Sequence, residues 1–131
     1  LGLTEPAYYL DFGGRVKSLG TSLRCLLDNY KRQGKRIAAY GASAKGCILL
    51  NTFGLGQDKI DYVVDRSSEK QGRFTPGTHL PILSPNVLVE RMPDAVLLLT
   101  WNLADEILRQ QAEYRRNGGL FIIPIPELKV V

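Results

Sequence analysis

The sequence predicts a Rossmann-like α/β fold: a three-layer sandwich built on a mostly parallel sheet of about five strands, with helices on both faces. Three observations carry this reading. Strand-like and helix-like segments alternate between residues 11 and 124, an order that implies parallel strands joined by right-handed crossovers. Asp94–Thr100 and Leu120–Pro124 are almost wholly apolar inside, as strands covered on both faces are. Gly41–Gly46 ends one strand and opens a helix, the context in which free backbone N–H groups and the helix dipole attract an anion.

Each element has its own signature. Asp11 to Gln33 reads as a long helix: Val16, Leu19, Leu23, Leu26, Leu27 and Tyr30 fall at helical spacing, and Gly34 closes it. Arg36–Tyr40 is a short strand, and Cys47–Phe53 a second helix stopped by Gly54. Ile60–Asp65 is a second strand, followed by a long polar loop over 66–80. His79–Ile82 reads as an edge strand, because Pro81 cannot donate to a central ladder. Ser84-Pro85 is a capping serine with proline at the first helical position, opening a helix to about Arg91. After the apolar strand, Asn102 caps a helix with Asp105 three residues on; Leu103, Ile107, Leu108 and Ala112 form its apolar face, and Asn117-Gly118-Gly119 ends it. Leu120–Pro124 is the last strand.

The chain has 131 residues, 44% of them hydrophobic and 23% charged, which bounds it to one globular domain. The expected division is an N-terminal linker and helix over 1–35 and an α/β core over 36–126. The opening Leu1-Gly2-Leu3-Thr4-Glu5-Pro6 gives the expectation of a fragment of a longer multidomain protein. No apolar run approaches a membrane span. The net charge of +4 comes from residues 1–36, with seven basic and three acidic residues; the rest is balanced. Cations toward the end of a helix are favoured by its dipole, so nucleic acid is not the expected partner. Cys25 and Cys47 both fall in helical segments and read as two buried thiols in a reducing cytoplasm, the expected compartment. His79 is the one histidine and cannot build a multi-histidine metal site. Neither catalytic nor metal-ligating residues are expected in this chain.

In a parallel sheet, ligands sit beyond the carboxyl ends of the strands, where strand order reverses. The loops meeting there begin at Gly41, Asp65, Thr100 and Pro124. In the first loop, Gly41 and Gly46 take the first and third glycine places of a dinucleotide turn, and Ser43 stands at the second. Lys45 precedes Gly46, so the loop is not a Walker turn. Either the loop, Gly41-Ala42-Ser43 with Lys45 and Gly46, holds a phosphate, or it is a tight turn that binds nothing. Asp65 stands where an acid takes ribose hydroxyls in dinucleotide-binding folds, or is a turn residue. Lys70 lies in the long loop, either beside a phosphate or simply solvated. Trp101 stacks on a base or walls a pocket; Asn102 caps the following helix.

A series of segments carries a resemblance: Ile37-Ala38-Ala39-Tyr40-Gly41-Ala42-Ser43-Ala44-Lys45-Gly46, Leu49-Leu50-Asn51, Asp61-Tyr62-Val63-Val64-Asp65, Lys70-Gln71-Gly72, Pro76-Gly77-Thr78 with Leu80-Pro81-Ile82, Trp101-Asn102 with Asp105-Glu106-Ile107, and Gly118-Gly119 with Phe121-Ile122 and Pro124. In this order they resemble the C-terminal domain of the S-adenosylmethionine-dependent nucleotide-sugar C-methyltransferase family. The resemblance covers most of 35–126. It implies a domain that helps hold the nucleotide-sugar substrate while a methyl group passes to a carbon of the deoxysugar. It places a cysteine-rich zinc domain and a methyl-donor domain upstream in the same chain. The catalytic tyrosine and histidine of that family belong upstream, so the isolated chain is expected to be inactive and to bind no cofactor itself, with S-adenosylmethionine used by the full-length enzyme. Two other readings rest on the residues alone: a stand-alone dinucleotide- or coenzyme-A-binding module, from the Gly41–Gly46 loop, and a nucleic-acid-binding or assembly domain, from the basic first helix.

Overall fold

The computed structural model describes residues 5–125 and 128–131, with side chains from residue 18 onward. In chain order the elements are α1 (Glu5–Arg32), β1 (Ile37–Tyr40), α2 (Ala44–Thr52), β2 (Val63–Val64), β3 (Ile82–Leu83), α3 (Val87–Arg91), β4 (Ala95–Leu98), a 3-10 turn (Trp101–Leu103), α4 (Ala104–Gln110), α5 (Ala112–Arg116), β5 (Leu120–Ile123) and β6 (Lys129–Val130). One sheet runs in the order β3-β2-β1-β4-β5-β6. The first five strands are parallel, and β6 pairs antiparallel with β5. β1 is central, with Ala39 opposite Val63 on one side and Leu97 on the other.

Alternation along the central strands sorts side chains into two cores. Ile37, Ala39, Ala95 and Leu97 face the α1/α2 layer and pack with Leu23, Leu27, Leu49 and Leu50. Ala38, Tyr40, Val96 and Leu98 face the α3/α4/α5 layer and pack with Leu88, Ile107, Tyr114 and Phe121. Leu23 and Leu27 are fully buried, so each contributes roughly 1.5–3 kcal/mol toward holding α1 on the sheet. Ion pairs reinforce that contact: Lys59 Nζ lies 2.6 Å from Asp28 Oδ1, and Lys31 Nζ lies 3.8 Å from Asp61 Oδ1. In the second core the Tyr114 hydroxyl donates to Pro93 O at 2.7 Å, and its ring meets Phe121 edge-on, with centroids 5.6 Å apart.

Several expectations are corrected. The sheet, expected with about five strands, has six, the sixth lying past residue 126 at Lys129–Val130. The edge strand lies at Ile82–Leu83; Pro81 instead forms an isolated bridge to Phe74, which folds the 66–80 segment back on the sheet edge. The Ser84-Pro85 pair opens α3 through a tight turn, with Val87 N bonded to Ser84 O and Leu88 N to Pro85 O. Ser84 Oγ reaches only Asn86 N, at 3.4 Å, so it is a weak cap. Asn102 caps nothing: it sits within the 3-10 turn, and the residue before α4 is Leu103. The helix that follows is broken at Gln111 into α4 and α5. Cys25 is exposed, and only Cys47 is buried. Among the described residues, no helix is long and apolar enough to cross a membrane.

Candidate functional site

Strand order reverses between β1 and β4, the neighbours whose crossovers run to opposite sides of the sheet. The loops leaving these two strands meet at that point. Gly41 follows β1 with φ +96°, and a Cβ there would fall 2.6 Å from Thr100 Cγ2 and 2.7 Å from Thr100 Oγ1. The turn therefore needs glycine for both its conformation and the approach of Thr100. Gly46, the third-glycine position, packs α2 on β4: a Cβ there would lie 2.6 Å from Leu99 Cβ. This is the close helix–strand contact for which that glycine place is known.

Ser43 takes up a structural role between them. Its Oγ accepts the Gly46 N–H at 3.0 Å, and its backbone is extended, so it is the cap of α2. The hydroxyl proton remains available to donate. The N–H groups of Ala44 and Lys45, at the start of α2, make no hydrogen bond among the described residues, as expected for the first turn of a helix. The Lys45 side chain is exposed and makes no ion pair among them.

Asp65 ties the turn to the loop after β2. Oδ2 accepts Ala42 N–H at 2.8 Å, and Oδ1 accepts Ser67 N–H at 2.8 Å. Lys70 reaches back over the same turn, donating to Ala42 O at 3.1 Å with Asp65 Oδ2 3.9 Å away. Gln71 closes the loop by donating to Asp65 O at 2.8 Å. The structure thus brings Gly41, Ala42, Ser43, Gly46, Asp65 and Lys70 to one turn, with Asp65 and Lys70 holding Ala42 and Ser43 holding Gly46. Both oxygens of Asp65 are engaged with backbone N–H groups.

Trp101 follows Thr100 directly. It is partly buried, packs against both cores and walls a shallow cleft of about 400 Å³ with Asn102, Asp105, Glu106 and Arg109. Asn102 is exposed and makes no hydrogen bond among the described residues.

Two hydroxyls that sequence reasoning passed over stand out here. Thr100 Oγ1 and the Tyr40 hydroxyl are buried without a hydrogen-bond partner among the described residues. Burial pushes the Tyr40 phenol above its ordinary value, partly offset by Arg66. Burial likewise raises the Cys47 thiol, partly offset by Lys70, so Cys47 is an inert core thiol rather than a nucleophile. His79 is exposed and stacks on Phe74, centroids 4.2 Å apart. No group of three or more His, Cys, Asp or Glu among the described residues could hold a metal ion.

Comparison with known proteins adds to this geometry. The family model of the C-methyltransferase C-terminal domain matches residues 1–126. The C-methyltransferase NovU of Streptomyces niveus is 40% identical over 130 residues, which is 99% of this chain and 31% of that protein. The chain thus spans about a third of the length of the curated relative it matches. Among solved structures, the UDP-D-quinovosamine 4-dehydrogenase of Vibrio fischeri is similar over 74% of this chain and 93% of that one, at 20% identity and a TM-score of 0.49.

Proposed function

Because this chain belongs to the C-methyltransferase C-terminal domain family, we propose that it is the nucleotide-sugar-binding domain of an enzyme that transfers a methyl group from S-adenosylmethionine to a carbon of a nucleotide-activated deoxysugar. Its partners in this reading are the sugar nucleotide and a methyl-donor domain upstream in the same chain, and its compartment is the cytoplasm. The observation that carries the reading is the start of α2 at the switch point, where N–H groups without a partner among the described residues open the helix that carries Lys45, and Lys70 Nζ reaches the same turn. A diphosphate fits that end of the helix by charge and by donor supply. Lys45 adds a compact ammonium needing no fork geometry. The orphaned Thr100 hydroxyl, against Gly41, supplies a polar contact, and Trp101 offers a flat apolar wall for a base or sugar. Asp65 and Ser43 hold the turn in shape.

In this reading S-adenosylmethionine is bound upstream in the full-length enzyme rather than by this domain. Asp65, at the place of the acid that takes ribose hydroxyls, already accepts Ala42 and Ser67 N–H, which leaves one lone pair on each oxygen, and Ser43 keeps a side chain where close backbone approach would need glycine. Calorimetry of the 131-residue chain with S-adenosylmethionine should show no tight one-to-one binding; such binding would overturn the assignment. The direct test of the substrate site is Lys45→Ala in the full-length enzyme. Sugar-nucleotide affinity at fixed salt should fall by roughly 1–3 kcal/mol, about 5- to 150-fold, for loss of a charge-assisted contact. Thermal stability should be unchanged, since the side chain is exposed. Equal affinities would make Lys45 mere surface and the loop mere turn.

A further inference from the structure

The Lys70-Gln71-Gly72 segment lies in the loop between β2 and β3, and the loop is fastened on both sides of it by backbone pairing. Asp65 N donates to Leu83 O at 3.0 Å, and Gly72 N donates to Ile82 O at 2.8 Å. Between them the chain makes a compact arc, in which Lys70 N and Gln71 N both donate to Ser67 O, at 3.1 and 3.2 Å. The Lys70 side chain reaches out of this arc, and its Nζ donates to Ala42 O at 3.1 Å.

That contact does not exhaust the ammonium. A lysine has three N–H donors. Ala42 O takes one, and Asp65 Oδ2, at 3.9 Å, is beyond hydrogen-bond length. The side chain is 47% exposed, so the remaining donors are open to a ligand at the Gly41–Gly46 turn. Their aim depends on where the arc holds the lysine Cα, which is one peptide, about 3.8 Å, from that of Gln71.

Gln71 is half-buried, and its Nε2 donates to Asp65 O at 2.8 Å. The acceptor is a carbonyl, so the amide must present its nitrogen; an ionised carboxylate, with acceptors only, could not make this bond. The bond closes the mouth of the arc on the residue whose own carboxylate accepts Ala42 N–H. Asp65 therefore fixes both the turn that receives Lys70 and the loop that carries it.

We propose that Gln71 is a positioning residue of the sugar-nucleotide site: its hydrogen bond to Asp65 O holds the 66–71 arc so that Lys70 Nζ stands over the turn with donors free for the diphosphate. A lysine already placed loses less freedom on binding than one that must be gathered in. This role rests on the function proposed above.

The experiment is calorimetry of the full-length enzyme at fixed salt, with uridine, thymidine, adenosine and guanosine diphosphates as probes and the tightest binder taken into a double-mutant cycle. Lys70→Ala should weaken its binding about tenfold. Gln71→Ala should weaken it about fivefold, and so should Gln71→Glu, which keeps the shape and loses the donor. In the Lys70→Ala background the same changes should cost less than about twofold, since the lysine they aim is gone. Equal losses in the two backgrounds, or a lowered melting temperature with affinity unchanged in both Gln71 variants, would overturn the proposal and leave Gln71 a brace for the loop alone. Lys45→Ala separates this role from the site itself. If that change weakens binding while the Gln71 variants do not, the sugar-nucleotide site stands and the role of Gln71 is refuted. If no probe binds the parent, or if Lys45→Ala and Lys70→Ala both leave affinity unaltered, the site is refuted and the role with it.

Discussion

Replacing Asp65 by alanine should destabilise the free chain, with no ligand present. The carboxylate side chain is 15% exposed and accepts two backbone N–H groups at 2.8 Å each. Hydrogen bonds to a charged acceptor are worth about 1.5–3 kcal/mol apiece. Truncation opens the site to water, which replaces part of that, so the net cost should be about 2–3 kcal/mol. The pair with Lys70 adds little, because that lysine is 47% exposed and 3.9 Å away. At roughly 4 °C per kcal/mol for a chain of this size, the melting temperature should fall by about 8–12 °C. Thermal unfolding at pH 7 followed by circular dichroism measures it, with urea midpoints as a check. Asp65→Asn, which keeps one acceptor and the shape, should lie between variant and parent. An Asp65→Ala chain melting within about 2 °C of the parent would refute the argument. It would return Asp65 to the class of residues kept for a ligand alone.

Two further outcomes follow from the packing and the charges. Gly46→Ala forces a Cβ to 2.6 Å from that of Leu99, which is 1% exposed; α2 must shift, at about 1–3 kcal/mol, and a chain as stable as the parent in urea would show that the helix slides freely. The hydrogen bond from Lys59 holds the Asp28 carboxyl below its ordinary 3.8, and the Asp28 partner raises Lys59 above 10.5. A depressed carboxyl contributes stability above its unfolded value and loses it as pH falls through the folded one. Asp28→Asn should therefore be less stable than the parent at pH 6, with the gap closing as pH drops from 3.8 into the lowered range. The raised lysine acts at the other end, its contribution fading only above pH 10.5. Urea midpoints across pH read both, and a gap constant from pH 6 down to acid would contradict the pairing.

The sequence made the central sheet legible because β1 and β4 are apolar on both faces, and burial of that kind writes itself into composition. β6 has no such mark. Lys129 and Val130 are exposed, and their strand exists through backbone pairing with Ile122 and Ile123, a tertiary fact. Cys25 was misread although the signal was there: two residues from Leu23 and two from Leu27, it lies on the opposite side of the helix from both. At the site, half of Asp65 was readable. The bond to Ser67, two residues on, is the local turn chemistry of aspartate; the bond to Ala42, 23 residues back, depends on how the sheet is assembled. Thr100 could be seen to begin a loop, but the isolation of its hydroxyl depends on what surrounds it, which no single sequence displays.

Both outer strands of the sheet are two residues long. β3 follows Pro81, which has no N–H to offer and itself bridges to Phe74; β6 begins with an exposed lysine. A ladder this short gives another chain almost nothing to extend, and prolines and lysines at such margins oppose stacking of sheet upon sheet. Any protein that docks here must therefore read the contour of helices and loops, and its selectivity will reside in side chains rather than in shared main-chain pairing. The same margins guard the domain against fibril growth when it is made or stored at high concentration.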